Sequence, residues 1–323
     1  IRFDYLMANI TPIRRRKIRI GTRATNLATR QAEILAGAII NRNLAKKEDI
    51  EILKIKSSGD IITSSIGPYD GKSLFTKEID QALVDGKIDI AAHSVKDLES
   101  YLLDGIDLLG VLKRMDPRDA LITNEKIKSI DELPQDCLVG TASPRRAAIL
   151  KSIRDDINTI EFRGNFETRI RKLQDKEVDA TLLAMAGIQR LNFSDCNILP
   201  FETDLMIPAA GQGAIGMVAR IDDDEVVNII RELNHIESYV CICAERKVLE
   251  SFGGSCFQPI AAFANFDDDE KITINTMISS DDGSLYQNIK EYAQRDNVMD
   301  IAGDIGIRLL EYYDKSLKRT VNS

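Results

Sequence analysis

Apolar positions along the chain switch between two periods. Short apolar runs that end in glycine and a small polar residue read as strands, and stretches with apolar residues three and four apart read as helices. Arg19-Ile20-Gly21-Thr22 ends such a run, and Leu27, Ile34, Leu35 and Ala38 then mark a helix over 27–40. A strand over 51–55 runs into Ser58-Gly59-Asp60, a helix covers 74–84, and Lys87-Ile88-Asp89-Ile90-Ala91 opens the next strand. The order then repeats. Leu138-Val139-Gly140-Thr141 ends a strand, and a helix covers 144–151. A strand over 159–162 enters Arg163-Gly164-Asn165, a helix covers 166–173, and Glu177-Val178-Asp179-Ala180-Thr181 opens another strand. Strands alternating with helices predict parallel α/β sheets, and the repeated order predicts two similar lobes.

The first lobe is expected over 17–112 and the second over 113–209. A return segment, 210–232, carries its strand (214–220) back to the first lobe. From 233 the texture changes. A helix over 238–251 precedes Gly253-Gly254-Ser255-Cys256, alternating strands follow over 260–264 and 272–278 with a turn at Asp281-Asp282-Gly283, and a last helix covers 298–313. Residues 233–323 therefore read as a small α+β domain. The fold class is α/β, two similar lobes plus this C-terminal domain.

Composition narrows the function. The 323 residues carry a net charge of −8, which argues against nucleic acid and anionic membrane as partners. No apolar run approaches the roughly 20 residues that span a bilayer, and the basic run Arg14-Arg15-Arg16-Lys17 reads as a solvated tail. With His93 and His235 the only histidines and no C-x-x-C pair, no metal site is expected. An odd count of five cysteines points to free thiols and a reducing, cytoplasmic setting.

In open α/β sheets ligands bind beyond the carboxyl ends of the strands. The loops at those ends are expected to line one cleft, and they are rich in arginine: Arg19, Arg23, Arg145, Arg146, Arg163, Arg169 and Arg190. Ser143 is placed as an N-cap with Pro144 at the first helical position, so Arg145 and Arg146 oppose the helix dipole unless an anion docks there. Internal salt bridges are the other reading of the pair. Lys72, between Gly71 and Ser73, is either a loop cation over the cleft or a solvated lysine. Asp97 ends Ala92-His93-Ser94-Val95-Lys96-Asp97 as the acid of the expected cleft core. It either accepts a ligand N–H and steadies a developing cation or pairs with the arginines. His93 reads as a structural histidine. Cys256, in a Gly/Pro-bounded loop, is either a nucleophile or attachment point or an inert small hydrophobe. Gly211-Gln212-Gly213-Ala214-Ile215-Gly216 matches a dinucleotide fingerprint but precedes a strand, so NAD or FAD binding is rejected.

Taken in order, nine stretches resemble the porphobilinogen deaminase family. They are Arg19-Ile20-Gly21-Thr22-Arg23, Gly71-Lys72-Ser73-Leu74-Phe75-Thr76-Lys77-Glu78, His93-Ser94-Val95-Lys96-Asp97, Asp116-Pro117-Arg118-Asp119-Ala120 and Gly140-Thr141-Ala142-Ser143-Pro144-Arg145-Arg146. Phe162-Arg163-Gly164-Asn165, Ala186-Gly187-Ile188-Gln189-Arg190-Leu191, Pro208-Ala209-Ala210-Gly211-Gln212-Gly213 and Gly254-Ser255-Cys256-Phe257-Gln258-Pro259-Ile260 complete them.

The resemblance implies two lobes similar to type II periplasmic binding proteins and a third domain bearing a covalent dipyrromethane cofactor. It implies the head-to-tail joining of four porphobilinogen units into 1-hydroxymethylbilane with loss of ammonia. By matching motif it implies Cys256 as the attachment point and Asp97 as the catalytic carboxylate. Lys72, Asp97, Thr141, Ser143, Arg145, Arg146, Arg163 and Gly164 then contact the cofactor, and Arg19, Arg23, Thr25, Arg169 and Arg190 the substrate. A monomer is expected, with no membrane or nucleic-acid partner. The chain departs from the family pattern at Glu99, where proline is usual, at Thr25-Asn26 in place of Ser-Pro, and over 61–70. A non-catalytic two-lobed polyanion binder, or a decayed paralogue, would keep the arginines without needing Asp97 or Cys256.

Overall fold

The computed structural model describes residues 17–56, 76–253, 258–267, 271–280 and 286–321. The strands are β1 (Ile18–Arg23), β2 (Ile50–Ile55), β3 (Ile90–Ser94), β4 (Ile106–Val111), β5 (Asp119–Thr123), β6 (Leu138–Gly140), β7 (Asn158–Ile160), β8 (Ala180–Ala184), β9 (Asn197–Pro200), β10 (Ile215–Arg220), β11 (Ile260–Phe266), β12 (Ile272–Ser279) and β13 (Tyr286–Ala293). The α-helices are α1 (Asn26–Asn41), α2 (Lys77–Val84), α3 (Pro144–Ile153), α4 (Phe166–Gln174), α5 (Met185–Arg190), α6 (Asp224–Leu233), α7 (Ile236–Phe252) and α8 (Val298–Val321).

One sheet has the order β2-β1-β3-β10-β4 and another β7-β6-β8-β5-β9. In the first, β1 runs parallel to β2 and β3, and β10 runs antiparallel to β3 and β4. In the second, β6 runs parallel to β7 and β8, and β5 runs antiparallel to β8 and β9. The two plans coincide strand for strand, and β10 makes the expected return to the first lobe.

The chain divides into two compact units, residues up to Met115 with Ala214–Cys243, and Asp116–Gly213 with Ala244–Ser323. The first holds one lobe, whose core joins Ile20, Leu35 and Ile39 to Ile90, Met217 and Ile230. The second holds the other lobe together with the three-stranded antiparallel sheet β11-β12-β13. One face of the C-terminal sheet joins that lobe's core. Ala261, Phe263 and Met277 bury themselves with Leu121, Val139 and Ile149. Ala261 and Phe263 of β11 and Met277 of β12 thus complete the second lobe's core.

Each lobe repeats a local device. At the end of α2, Gly86 takes φ +67° and the Lys87 amide donates to Ala82 O at 2.9 Å. At the end of α4, Lys176 takes φ +59° and the Glu177 amide donates to Lys172 O at 3.0 Å. These bonds satisfy helix carbonyls that otherwise lack partners. They also place the phrases Lys87-Ile88-Asp89 and Glu177-Val178-Asp179 in helix-ending turns, so β3 and β8 begin three residues later than the apolar pattern predicts. Asp89 and Asp179 then pin the neighbouring strand starts. Asp89 Oδ2 accepts the Arg19 amide at 2.9 Å, and Asp179 Oδ2 accepts the Leu138 amide at 2.7 Å.

Candidate active site

Asp97 ends a single 3-10 turn, Val95–Asp97, that follows β3 directly. Apolar Ile90, Ala91 and Ala92 hold that strand in the core, and the Val95 amide donates to Ala214 O at 3.2 Å. The carboxylate emerges exposed at the carboxyl end of the strand. It lines a pocket with Arg23, Thr25, Leu27, Ala28, Gln31, Thr76, Ala92, His93 and Ser94. Thr25 caps α1, its Oγ1 accepting the Ala28 amide at 3.3 Å, and Thr22 Oγ1 donates to Ala28 O at 2.9 Å. Together they fix the turn that brings Arg23 beside the pocket. Gln31 is 2% exposed, and its Nε2 donates to Ser94 Oγ at 2.7 Å. The sequence reading missed Gln31 and Ser94. The available signal was a glutamine on the apolar face of α1, which otherwise buries Ala28, Ala32, Leu35 and Ile39.

Arg19 does not belong with the loop cations. It is the second residue of β1, at the amino end, and Arg23 is the last. Its Nε and NH2 both reach Asp89, each at 2.9 Å. These hydrogen bonds hold its guanidinium above its ordinary pKa, against the opposing effect of burial. The guanidinium that the resemblance assigns to substrate is thus held in an ion pair with Asp89.

The second unit gathers the remaining arginines. Ser143 caps α3 as predicted, its Oγ accepting the Arg146 amide, and Thr141 Oγ1 accepts the Ser143 amide at 3.1 Å. Arg145 and Arg146 turn inward from the first turn of that helix. Both meet Asp119, which is fully buried: Arg145 NH2 lies 2.7 Å from Oδ2, and Arg146 NH2 lies 2.6 Å from Oδ1. Arg145 NH1 also donates to Ile207 O, and Arg146 NH1 to Leu182 O. Gln212 Nε2 donates to the same carboxylate at 3.0 Å. This is the internal-salt-bridge alternative that the sequence left open, and Asp119 is the anion it did not identify. The signal was an acid opening the apolar run Asp119-Ala120-Leu121-Ile122. Burial lowers the Arg145 pKa, partly offset by the Asp119 charge.

Arg163 and Arg169 stay near the surface beside Gly164. Arg163 Nε bonds Glu161, and Arg169 Nε donates to Gly164 O at 2.9 Å. Gly164 has φ +133°, and a Cβ there would stand 2.7 Å from Thr168 Cγ2. Only glycine fits that turn. Arg190 is 7% exposed, and its NH2 donates to Gly213 O at 2.7 Å while its Nε has no partner. Burial pulls its pKa down to about 10. A buried guanidinium in that condition suits a carboxylate ligand. Lys72 and Cys256 lie outside the described residues. Among the described residues no cluster of His, Cys, Asp and Glu suits a metal ion.

Comparison with known proteins places this geometry. Residues 18–228 match the family model described as porphobilinogen deaminase, dipyromethane cofactor binding domain, and residues 239–313 match the porphobilinogen deaminase C-terminal domain. Porphobilinogen deaminase of Sphingopyxis alaskensis is 41% identical, over 83% of this chain and 85% of that protein. The chloroplastic porphobilinogen deaminase of Oryza sativa is 42% identical, over 83% of this chain and 75% of that protein. That of Ehrlichia canis is 39% identical over 91% of this chain and 97% of its own length. Among solved structures, a putative methionine-binding lipoprotein from Bacillus subtilis is similar at 12% identity. That match covers 68% of this chain and 90% of that chain, with a TM-score of 0.44.

Proposed function

The chain belongs to the porphobilinogen deaminase family, and from that membership we propose that Asp97 is the carboxylate on which its reaction turns. The activity is the family's. Porphobilinogen is the substrate, and four units are joined head to tail into 1-hydroxymethylbilane with release of ammonia. The cofactor is dipyrromethane, which when bound supplies the primer and tether for the growing chain. Cys256, by its motif, is the thiol that carries it.

The observation behind the Asp97 assignment is its setting, an exposed carboxylate at a strand end inside a pocket walled by Arg23, Thr25, Gln31, His93 and Ser94. Loss of ammonia leaves positive charge on the substrate, which a fixed carboxylate steadies, and completion of the new carbon–carbon bond releases a proton, which the same group takes. Arg23 in this unit, and Arg163, Arg169 and Arg190 in the other, supply cations for the acetate and propionate groups of the pyrroles. Among these, Arg190 is best suited to a carboxylate, which would satisfy a buried cation that pairs with no acid among the described residues. Thr141, Ser143 and the Gly164 turn supply polar contacts, and Lys72 a further cation. Arg145 and Arg146 act through Asp119 by fixing the start of α3.

We further infer a monomer working in a reducing cytoplasm. Cys137, Cys196, Cys241 and Cys243 form no disulfide with one another, and no described helix is long and apolar enough to cross a membrane. The test of the catalytic reading is Asp97→Asn in single-turnover elongation, with circular dichroism beside it. The folded variant is expected to bind porphobilinogen and fail to elongate. Normal elongation would return Asp97 to a salt-bridging role.

A further inference from the structure

Three buried polar atoms at the start of α2 and on β3 have no task in the reaction above. Thr76 is 1% exposed, and Asp80 and His93 are each 4% exposed. Thr76 Oγ1, Asp80 Oδ1 and His93 Nε2 all lack a hydrogen-bond partner. His93 Nε2 and Asp80 Oδ1 face each other at 3.5 Å, outside hydrogen-bond geometry. Asp80 sits one turn along from Thr76, its amide donating to Thr76 O at 2.8 Å. Thr76 and His93 line the same pocket as Asp97.

Buried polar groups in folded proteins are nearly always partnered, so an orphaned His93–Asp80 pair with a third orphan one helical turn away on Thr76 marks a spot that a small polar species fills. Their chemistry selects it. The carboxylate oxygen accepts hydrogen bonds, His93 Nε2 accepts one in the tautomer whose proton sits on Nδ1, and the hydroxyl does either. The carboxylate repels an anion. A nitrogen about 2.9 Å from both acceptors closes a triangle over their 3.5 Å separation. A species rich in N–H donors, small and neutral or cationic, fits this trio.

We propose that Thr76, Asp80 and His93 form an ammonia and ammonium site that receives the amine nitrogen as it leaves the substrate. The inference rests on Asp97 being the reacting carboxylate. Each addition breaks one aminomethyl C–N bond and makes one C–C bond. The nitrogen departs as ammonia, and the proton shed by the pyrrole carbon balances the one the nitrogen takes. A donor-hungry site beside Asp97 draws the nitrogen off the cation and slows its return.

The test uses the cofactor-loaded enzyme with ammonium chloride as probe, against sodium chloride at equal ionic strength. Ammonium is expected to raise the thermal midpoint and to inhibit elongation, and sodium to do neither. Thr76→Val and Asp80→Asn are each expected to lose the midpoint shift and to weaken ammonium inhibition about tenfold or more, the scale of one charge-assisted hydrogen bond. Identical behaviour of the two salts with the wild type, which needs no variant to fold, overturns the site and leaves a water-filled niche. So does a wild-type ammonium response in both folded variants. Asp97→Asn run alongside separates the two readings. Retained elongation there defeats the role of Asp97 and leaves the binding measurement to decide the ammonium site. A dead Asp97→Asn with no ammonium effect defeats the ammonium site alone.

Discussion

The two lobes share one strand order and differ in what they place at equivalent positions. Ile215 pairs with Ser94 at the start of β10, and Asp119 pairs with Ala184 at the start of β5. One lobe thus has an apolar residue where the other has a buried acid holding two arginines. At the ends of β3 and β8 the contrast reverses. The first lobe turns into Asp97, exposed and facing a pocket, and the second turns into α5 and buried Arg190. A shared backbone therefore ends in an exposed acid in one lobe and a buried cation in the other. Strand order sets where the loops emerge, and the side chains at those few positions set the chemistry.

The sharpest way to break this comparison is to remove the exposed acid. Asp97→Asn is expected to lower single-turnover elongation by roughly 10²–10⁴-fold while leaving the thermal midpoint near the wild type. Elongation within a few-fold of normal would erase the functional asymmetry. Removing the buried acid should do the opposite. Asp119→Leu strands two guanidinium groups in the core and should cost about 3–5 kcal/mol in urea denaturation. A loss under about 1 kcal/mol would mean that Arg145 and Arg146 reach solvent or ligand instead.

Arg190 tests the cost of keeping a cation ready. Its burial disfavours the charged form, so Arg190→Met should stabilise the cofactor-free protein, by about 1–3 kcal/mol, while impairing cofactor loading by intact mass. Lower stability with normal loading would make it a structural residue. The smallest effects concern the matched glycines. A Cβ at Gly140 would lie 2.5 Å from Phe162 Cγ, and one at Gly21 would lie 2.3 Å from Ile88 Cδ1. The isoleucine tip can swing aside and the ring base cannot. Gly140→Ala should therefore destabilise by about 1–3 kcal/mol and Gly21→Ala by less, read from urea midpoints. Equal losses would mean that the first lobe is packed as rigidly as the second.

Much of this was legible in the chain itself. The alternation of strand and helix periods predicted both lobes, the return strand and most helices, because those periods follow from which face is buried. Ser143 could be read as a helix start because a cap depends on neighbours three residues away. β13 escaped because its residues alternate between exposed and half-buried, with Ile289 a lone aliphatic before Ala293. An edge strand with little apolar face gives little signal.

The sequence by itself determined the lobes, their order, and the position of Asp97 at a strand end, since each follows from local periodicity and motif. Only the tertiary structure decided which way the arginines turn. Arg19 finds Asp89 seventy residues on, and Arg145 finds Asp119 twenty-six residues back. A guanidinium's partner is fixed by which acid the fold brings within about 3 Å, and spacing along the chain does not encode that distance. The same holds for Thr76, Asp80 and His93, three ordinary residues in sequence that become a site only where α2 and β3 pack together.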